Sequence, residues 1–231
     1  MKPVWLLAVN FVRQQKVILL VFLAWLLGFG ILFGIVLSDG QNNEDLLTLF
    51  RQEAAYSVVI TVFVSGAAIH GERKSRRIIA VLSKGIYRAE YLAGIMVGNI
   101  LLTGIYLLTV GLIHQALAMR FGIEANIWPA LAAAMLASML ASSLTLLLST
   151  FLNPIVATMF TMATLGAPLA LHSWMRLIPV AYVLAQIMDY DYARGWHGGW
   201  QFAWVAGIEI AIFFTMASAI FSRRDVTLAV E

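Results

Sequence analysis

The sequence predicts an all-α polytopic membrane protein, a single domain over residues 1–231 with six transmembrane helices, an N-terminal interfacial helix and an outer re-entrant segment. Three observations predict it. The 231 residues are 61% hydrophobic and 12% charged, with a mean hydropathy of +0.87, about half the charge of an ordinary soluble domain. The apolar residues fall in blocks, each near the ~20 residues that carry a helix across a bilayer. Lys and Arg collect on alternate connecting segments.

The elements follow in order. Residues 1–16 mix apolar bulk with Arg13 and Lys16, are too short to cross, and suit a helix lying in the cytoplasmic interface. Spans are predicted at 17–37, 54–71, 92–115, 129–151, 154–172 and 201–221. The first stops at the turn signal Ser38-Asp39-Gly40. The second starts after Glu53 and stops at Gly71-Glu72-Arg73-Lys74. Trp128-Pro129 opens the fourth with proline in its first turn, and Asn153-Pro154 separates it from the fifth with almost no loop. Residues 173–200 carry Pro179, Trp174, Trp196 and Trp200 around an apolar stretch at 178–188 that is too short to span. That stretch suits an outer-leaflet hairpin covered by protein, and the tryptophans, with Tyr190 and Tyr192, suit an aromatic belt. The sixth span ends at Ser222-Arg223-Arg224.

Orientation comes from the basic residues. The N-terminus, the loop at 72–91 and the C-terminal tail hold Lys2, Arg13, Lys16, Arg73, Lys74, Arg76, Arg77, Lys84, Arg88, Arg223 and Arg224. The opposite segments hold Arg51, Arg120, Arg176 and Arg194, together with acids such as Glu44, Asp45 and Glu53. The first set therefore faces the cytoplasm, with both termini there, which requires an even number of spans. The formal charge of +3 is accounted for by this topology, and no nucleic-acid partner is predicted.

Several chemistries are excluded. The chain has no cysteine, hence no disulfide or thiolate metal site. It has neither a phosphate-binding G-x-x-x-x-G-K-[ST] loop nor a dinucleotide fingerprint, so it should bind no ATP itself. His70, His114, His172 and His197 form no close pair and sit near predicted membrane boundaries, where a snorkelling histidine is ordinary. No metal or catalytic residue is predicted. Ser65 and His70 could suggest an intramembrane protease, but a spacing of five turns the two side chains apart on one helix.

Polar residues inside the spans repeat at helical spacing: Ser57, Thr61 and Ser65 in the second, Ser138, Ser142, Thr145 and Ser149 in the fourth, and Thr158, Thr161 and Thr164 in the fifth. With Gly94-x-x-x-Gly98 in the third, these are the small faces on which membrane helices pack. Glu209 is the intramembrane carboxylate, with either a functional role or a structural hydrogen bond open to it.

The loop between the second and third spans reads HGERKSRRIIAVLSKGIYRAEYLAG. A charged run opens it, Ile78, Ile79, Val81 and Leu82 make an apolar patch, Ser83-Lys84-Gly85 turns, and Tyr87-Arg88-Ala89-Glu90-Tyr91 leads into the third span. A basic loop that only fixes topology and touches anionic lipid needs neither the patch nor the Tyr-Arg-x-Glu-Tyr phrase. This segment, opened by Glu72 and running Leu82-Ser83-Lys84-Gly85-Ile86-Tyr87-Arg88-Ala89-Glu90-Tyr91-Leu92-Ala93-Gly94, resembles the loop after the second span of ABC-2 type permeases, the membrane subunits of ABC exporters. Gly85 stands where that family usually has proline, Ile95 where it has lysine, and the Gly-Thr that often follows the acid is missing. The six-span layout resembles the family as well.

The resemblance implies a bacterial inner-membrane exporter moving a hydrophobic or amphipathic substrate. It implies a dimer, with a second copy or a homologous chain, seated on a separate ATPase that holds ATP and Mg. Glu72, Arg76, Arg77, Ile78, Ile79, Leu82, Lys84, Arg88 and Glu90 would form the coupling segment that docks on that ATPase. Because the second and fifth spans of such permeases line the substrate path, Ser57, Thr61, Ser65, Thr158, Thr161 and Thr164 become path candidates, with Glu209 beside them. A haem-exporter-like permease is a neighbouring alternative, and a protease-like intramembrane enzyme is the rival from another class.

Overall fold

The computed structural model describes residues 2–36, 43–74, 86–122, 126–170, 179–188 and 199–223. Among them the chain is helical apart from short connections, in eight helices: α1 (Lys2–Gln14), α2 (Lys16–Val36), α3 (Asn43–Lys74), α4 (Arg88–Phe121), α5 (Trp128–Ser149), α6 (Pro154–Ala170), α7 (Pro179–Met188) and α8 (Gly199–Arg223).

Four segments are long and apolar enough to cross a membrane: Thr48–Ile69 within α3, Arg88–Phe121, Trp128–Ser149 and Gln201–Arg223 within α8. The pair α1 and α2, bent by 60° at Gln15, qualifies as a fifth. That composition fits a multi-pass membrane protein. The bend falls in the polar run Arg13-Gln14-Gln15-Lys16, between a helix with one buried stripe and one that is apolar all round. α6 has 17 residues, about 26 Å of helix, slightly under the ~30 Å hydrocarbon core. Within the 178–188 stretch, residues 179–188 form α7, packed on α5, α6 and α8. Its flanks, where the re-entrant turns are expected, lie outside the described residues.

α3 and α4 overrun their predicted spans, 54–71 and 92–115. α3 has 32 residues and α4 has 34, so each extends well past the bilayer core. Polar residues at a helix end do not stop the helix; they mark where it leaves lipid. One assignment changes as a result. Glu53, read from the sequence as part of an outward loop, lies inside α3 and is 3% exposed. The helix begins ten residues earlier, at Asn43, and turns this carboxylate inward.

α5 sits at the centre and touches α3, α4, α6, α7 and α8. Seven of its small residues, Ala130, Ala133, Ala134, Ala137, Ser138, Ala141 and Ser142, are buried, and they let neighbouring backbones approach. α1 lies along α4. A Cβ added at Gly94 would stand 2.6 Å from the Leu7 Cβ, and one at Gly98 would stand 2.6 Å from the Phe11 Cδ1. The Gly94-x-x-x-Gly98 face is therefore a seat for α1. Gly66 does the same for α6, because a Cβ there would collide with Thr158. α2 stands at the edge, packed on α4 and touching α1 only lightly.

Candidate functional site

Three constellations gather the polar residues of the bundle. The first is a seam where α3, α4 and α5 meet. The hydroxyls of Ser57 and Ser138 lie 3.0 Å apart, those of Thr61 and Thr103 2.9 Å, and those of Ser65 and Ser142 2.9 Å. Asn99 closes the seam from α4, its Nδ2 donating to Ser65 Oγ at 2.5 Å and to Ser142 Oγ at 3.0 Å. All seven are buried. Ser142 also points its hydroxyl at the Met96 sulfur, 3.6 Å away.

The four-residue repeat of Ser57, Thr61 and Ser65 puts all three on one face of α3. Ser138 and Ser142 match it from α5, and Thr103 and Asn99 from α4. Each hydroxyl that would be costly in an apolar setting thereby meets another. The empty space along part of the seam totals about 150 Å³ and is too finely divided to hold a water-sized sphere. In this conformation the seam is a closed, hydrogen-bonded joint. Asn99 Oδ1 has no hydrogen-bond partner among the described residues.

The second constellation lies toward the far end of the α3–α4 interface. His114 is fully buried and Glu53 nearly so, with Nδ1 of the ring 3.4 Å from the Glu53 Oε2. The same Nδ1 lies 3.0 Å from the Val110 carbonyl. A carbonyl only accepts, so this nitrogen carries the ring proton. Phe50 meets the imidazole edge-to-face with centroids 5.3 Å apart, and Tyr106 donates its hydroxyl to the Glu53 carbonyl at 3.3 Å. Neither carboxylate oxygen of Glu53 nor Nε2 of His114 has an aligned hydrogen-bond partner among the described residues. Leu46, Leu49, Leu117 and Ala118 form an apolar cluster on the same stretch of α3 and α4.

The third explains the Tyr-Arg-x-Glu-Tyr phrase. Glu90 accepts a hydrogen bond from the Tyr87 backbone N–H at 3.1 Å, which is half of a capping box at the start of α4. Arg88 reaches across to the end of α8 and donates to the carbonyls of Phe221 at 3.3 Å and Ser222 at 3.0 Å. Those are orphan carbonyls of a helix C-terminus, where a cation is favoured. Tyr91 stacks on Phe221 with centroids 6.2 Å apart. The phrase starts α4 and clamps α8 to it.

The predicted site residues fall as follows. Arg88 and Glu90 have the structural contacts just given. Glu72 lies in the last turns of α3, and Arg76, Arg77, Ile78, Ile79, Leu82 and Lys84 lie outside the described residues. Ser57, Thr61 and Ser65 are in the seam. Thr158 faces α3 at Gly66, Thr161 is buried with its hydroxyl donating to the Ala157 carbonyl at 2.9 Å, and Thr164 donates to the Phe160 carbonyl at 2.8 Å. Glu209 is half-buried on α8, with Oε2 enclosed and unpartnered among the described residues. No group of three or more His, Cys, Asp and Glu that could hold a metal occurs among the described residues.

Asn99, Glu53 and His114 are the residues sequence reasoning missed. Asn99 had a usable signal, an amide in the middle of an apolar block. The Glu53–His114 pairing had none, because the two are 61 positions apart on helices whose register only packing sets. The chain matches no protein-family profile and no curated protein.

Proposed function

We propose that this chain is the transmembrane permease subunit of an ATP-binding cassette exporter, working as a dimer on a separate ATPase that supplies ATP and Mg. It crosses the inner membrane of a bacterium six times, with both termini cytoplasmic. α2, α3, α4, α5, α6 and α8 are the crossings, and α1 lies in the cytoplasmic interface. The cargo is a hydrophobic or amphipathic compound.

One observation carries this reading: both ends of the 72–91 loop are rigidly held. α3 runs as unbroken helix through Lys74, so one end of the loop continues a transmembrane helix. At the other end Glu90 fixes the start of α4 and Arg88 ties that start to the end of α8. A force on the loop would therefore move three transmembrane helices together, as a coupling segment must. The seam is suited to such motion. Interhelical hydrogen bonds in membranes contribute only about 0.6 kcal/mol each, so Ser57, Thr61 and Ser65 could exchange partners between two states at small cost. The two states must differ in affinity for the cargo.

The protease-like alternative gains nothing from the geometry, since the Ser65 hydroxyl is engaged by Asn99 and Ser142. The test is reconstitution of the chain in proteoliposomes with a P-loop ATPase encoded beside it. Hydrolysis should rise when the permease is present. Equal hydrolysis with and without it refutes the proposal.

A further inference from the structure

A cleft of about 320 Å³ opens between α2 and α4, lined by Leu27, Gly30 and Ile31 on one wall and Ile113, Ala116, Leu117 and Arg120 on the other. We propose that it seats one acyl chain of an anionic phospholipid whose phosphate pairs with Arg120.

The shape follows from how the two helices meet. A Cβ at Gly30 would stand 2.8 Å from the Ile113 Cγ2, so the helices touch there. α2 has few other neighbours. The cleft walls run from that contact toward the last turn of α4, where Arg120 stands. Leu27 and Ile31 are 48% and 62% exposed, which opens the cleft sideways to whatever surrounds the helices. For a chain with several membrane-crossing helices, that surrounding is lipid. Six of the seven lining residues offer only hydrocarbon, as an acyl chain requires. The volume lies at the lower end of the ~300–1,000 Å³ typical of ligand sites. A helix about 10 Å across does not enter a cleft whose walls touch at Gly30, so a second copy is the poorer occupant.

Arg120 supplies the polar end. It is exposed, lies 6.0 Å from the Phe121 ring centroid, and has no carboxylate within ion-pair distance among the described residues. It stands in the last turn of a 34-residue helix, about 51 Å long against a hydrocarbon core of ~30 Å, so its charge lies outside the core, on the headgroup side. A guanidinium binds phosphate through paired N–H donors. Apolar walls with one phosphate-binding head at the correct depth complement a phospholipid. The inference does not rest on the exporter reading and would hold for any function of the chain.

Native mass spectrometry of the full chain in detergent tests it, with phosphatidylglycerol and phosphatidylcholine of matched acyl chains as probes. The wild type should retain one phosphatidylglycerol per chain, favoured roughly fivefold over phosphatidylcholine, the factor expected for one basic side chain near an anionic lipid. Arg120→Gln should lose that preference, and Arg120→Lys should keep most of it. Ala116→Trp fills the cleft and should lose the retained lipid with Arg120 intact; Leu27→Trp serves the same end from the other wall. Equal retention of both lipids by wild type and Arg120→Gln overturns the proposal. So does a lipid still held by both tryptophan variants, or a change in oligomeric state in those variants with lipid retention unaltered.

Discussion

Deleting the Asn99 side chain tests the polar seam. Asn99→Ala removes two hydrogen bonds, to Ser65 and Ser142, together worth about 1.2 kcal/mol at the ~0.6 kcal/mol average for interhelical bonds in membranes. It also removes the buried Oδ1 that has no partner among the described residues, and an unsatisfied buried acceptor costs about 1–3 kcal/mol. The two effects oppose, so the single substitution should be close to neutral and by itself decides little. The pairwise term does decide. A double-mutant cycle of Asn99→Ala with Ser65→Ala should give a coupling near 0.6 kcal/mol, and under the ~1.7 kcal/mol maximum seen for such bonds. The control cycle pairs Asn99→Ala with Thr109→Ala, since among the described residues Thr109 bonds only to its own helix at Ile105, and should give none. The assay is reversible unfolding in mixed micelles, titrated with denaturing detergent and followed by circular dichroism. Equal coupling in the two cycles would refute the seam.

Other outcomes follow from the same geometry. Gly98→Val places a branched side chain against Phe11, where even a bare Cβ would be 2.6 Å from Cδ1. Overpacking of this kind costs about 1–3 kcal/mol, and a cysteine introduced at the fully buried Ala8 should become reactive only in that variant. His114→Leu leaves the buried Glu53 carboxyl group facing hydrocarbon with no polar side chain beside Oε2 and should destabilise by about 1–3 kcal/mol. Adding Glu53→Leu should recover much of that loss in a detergent melt, whereas additive losses would contradict the pairing. Arg88→Ala should cost about 0.3–1 kcal/mol and speed hydrogen exchange at 217–223. Glu90→Ala, which acts only on the start of α4, should leave those amides unchanged.

Much of the fold was legible because in a bilayer burial and hydropathy run in the same blocks. Each predicted span lies within or within two residues of a helix, and the break at Asn153-Pro154 separates α5 from α6 as expected. Gly94-x-x-x-Gly98 and the faces carrying Ser57, Thr61 and Ser65 and Ser138 and Ser142 were legible as packing surfaces because small-residue spacing encodes close approach directly. Their partners were not, since Leu7 and Phe11 reach α4 from a segment about 90 residues away. The ends of α3 and α4 were misjudged because hydropathy reports where lipid stops, and a helix continues past that point for as long as its backbone bonds and neighbours hold it. Arg88 shows the limit most sharply. Its spacing in the loop suits docking, yet its hydrogen bonds join two carbonyls more than 130 positions away, a contact only the assembled bundle creates.

The central claim is that the loop following α3 docks on an ATPase, and copurification with a tagged ATPase tests it most directly. Ile79→Asp with Leu82→Asp leaves every basic residue of the loop in place, so topology should be unchanged. Buried anchors of a small interface cost on the order of 1–4 kcal/mol each when lost. Wild-type permease should recover the ATPase, and the double variant, still folded in the membrane, should not. Equal recovery with equal stimulated hydrolysis would contradict it.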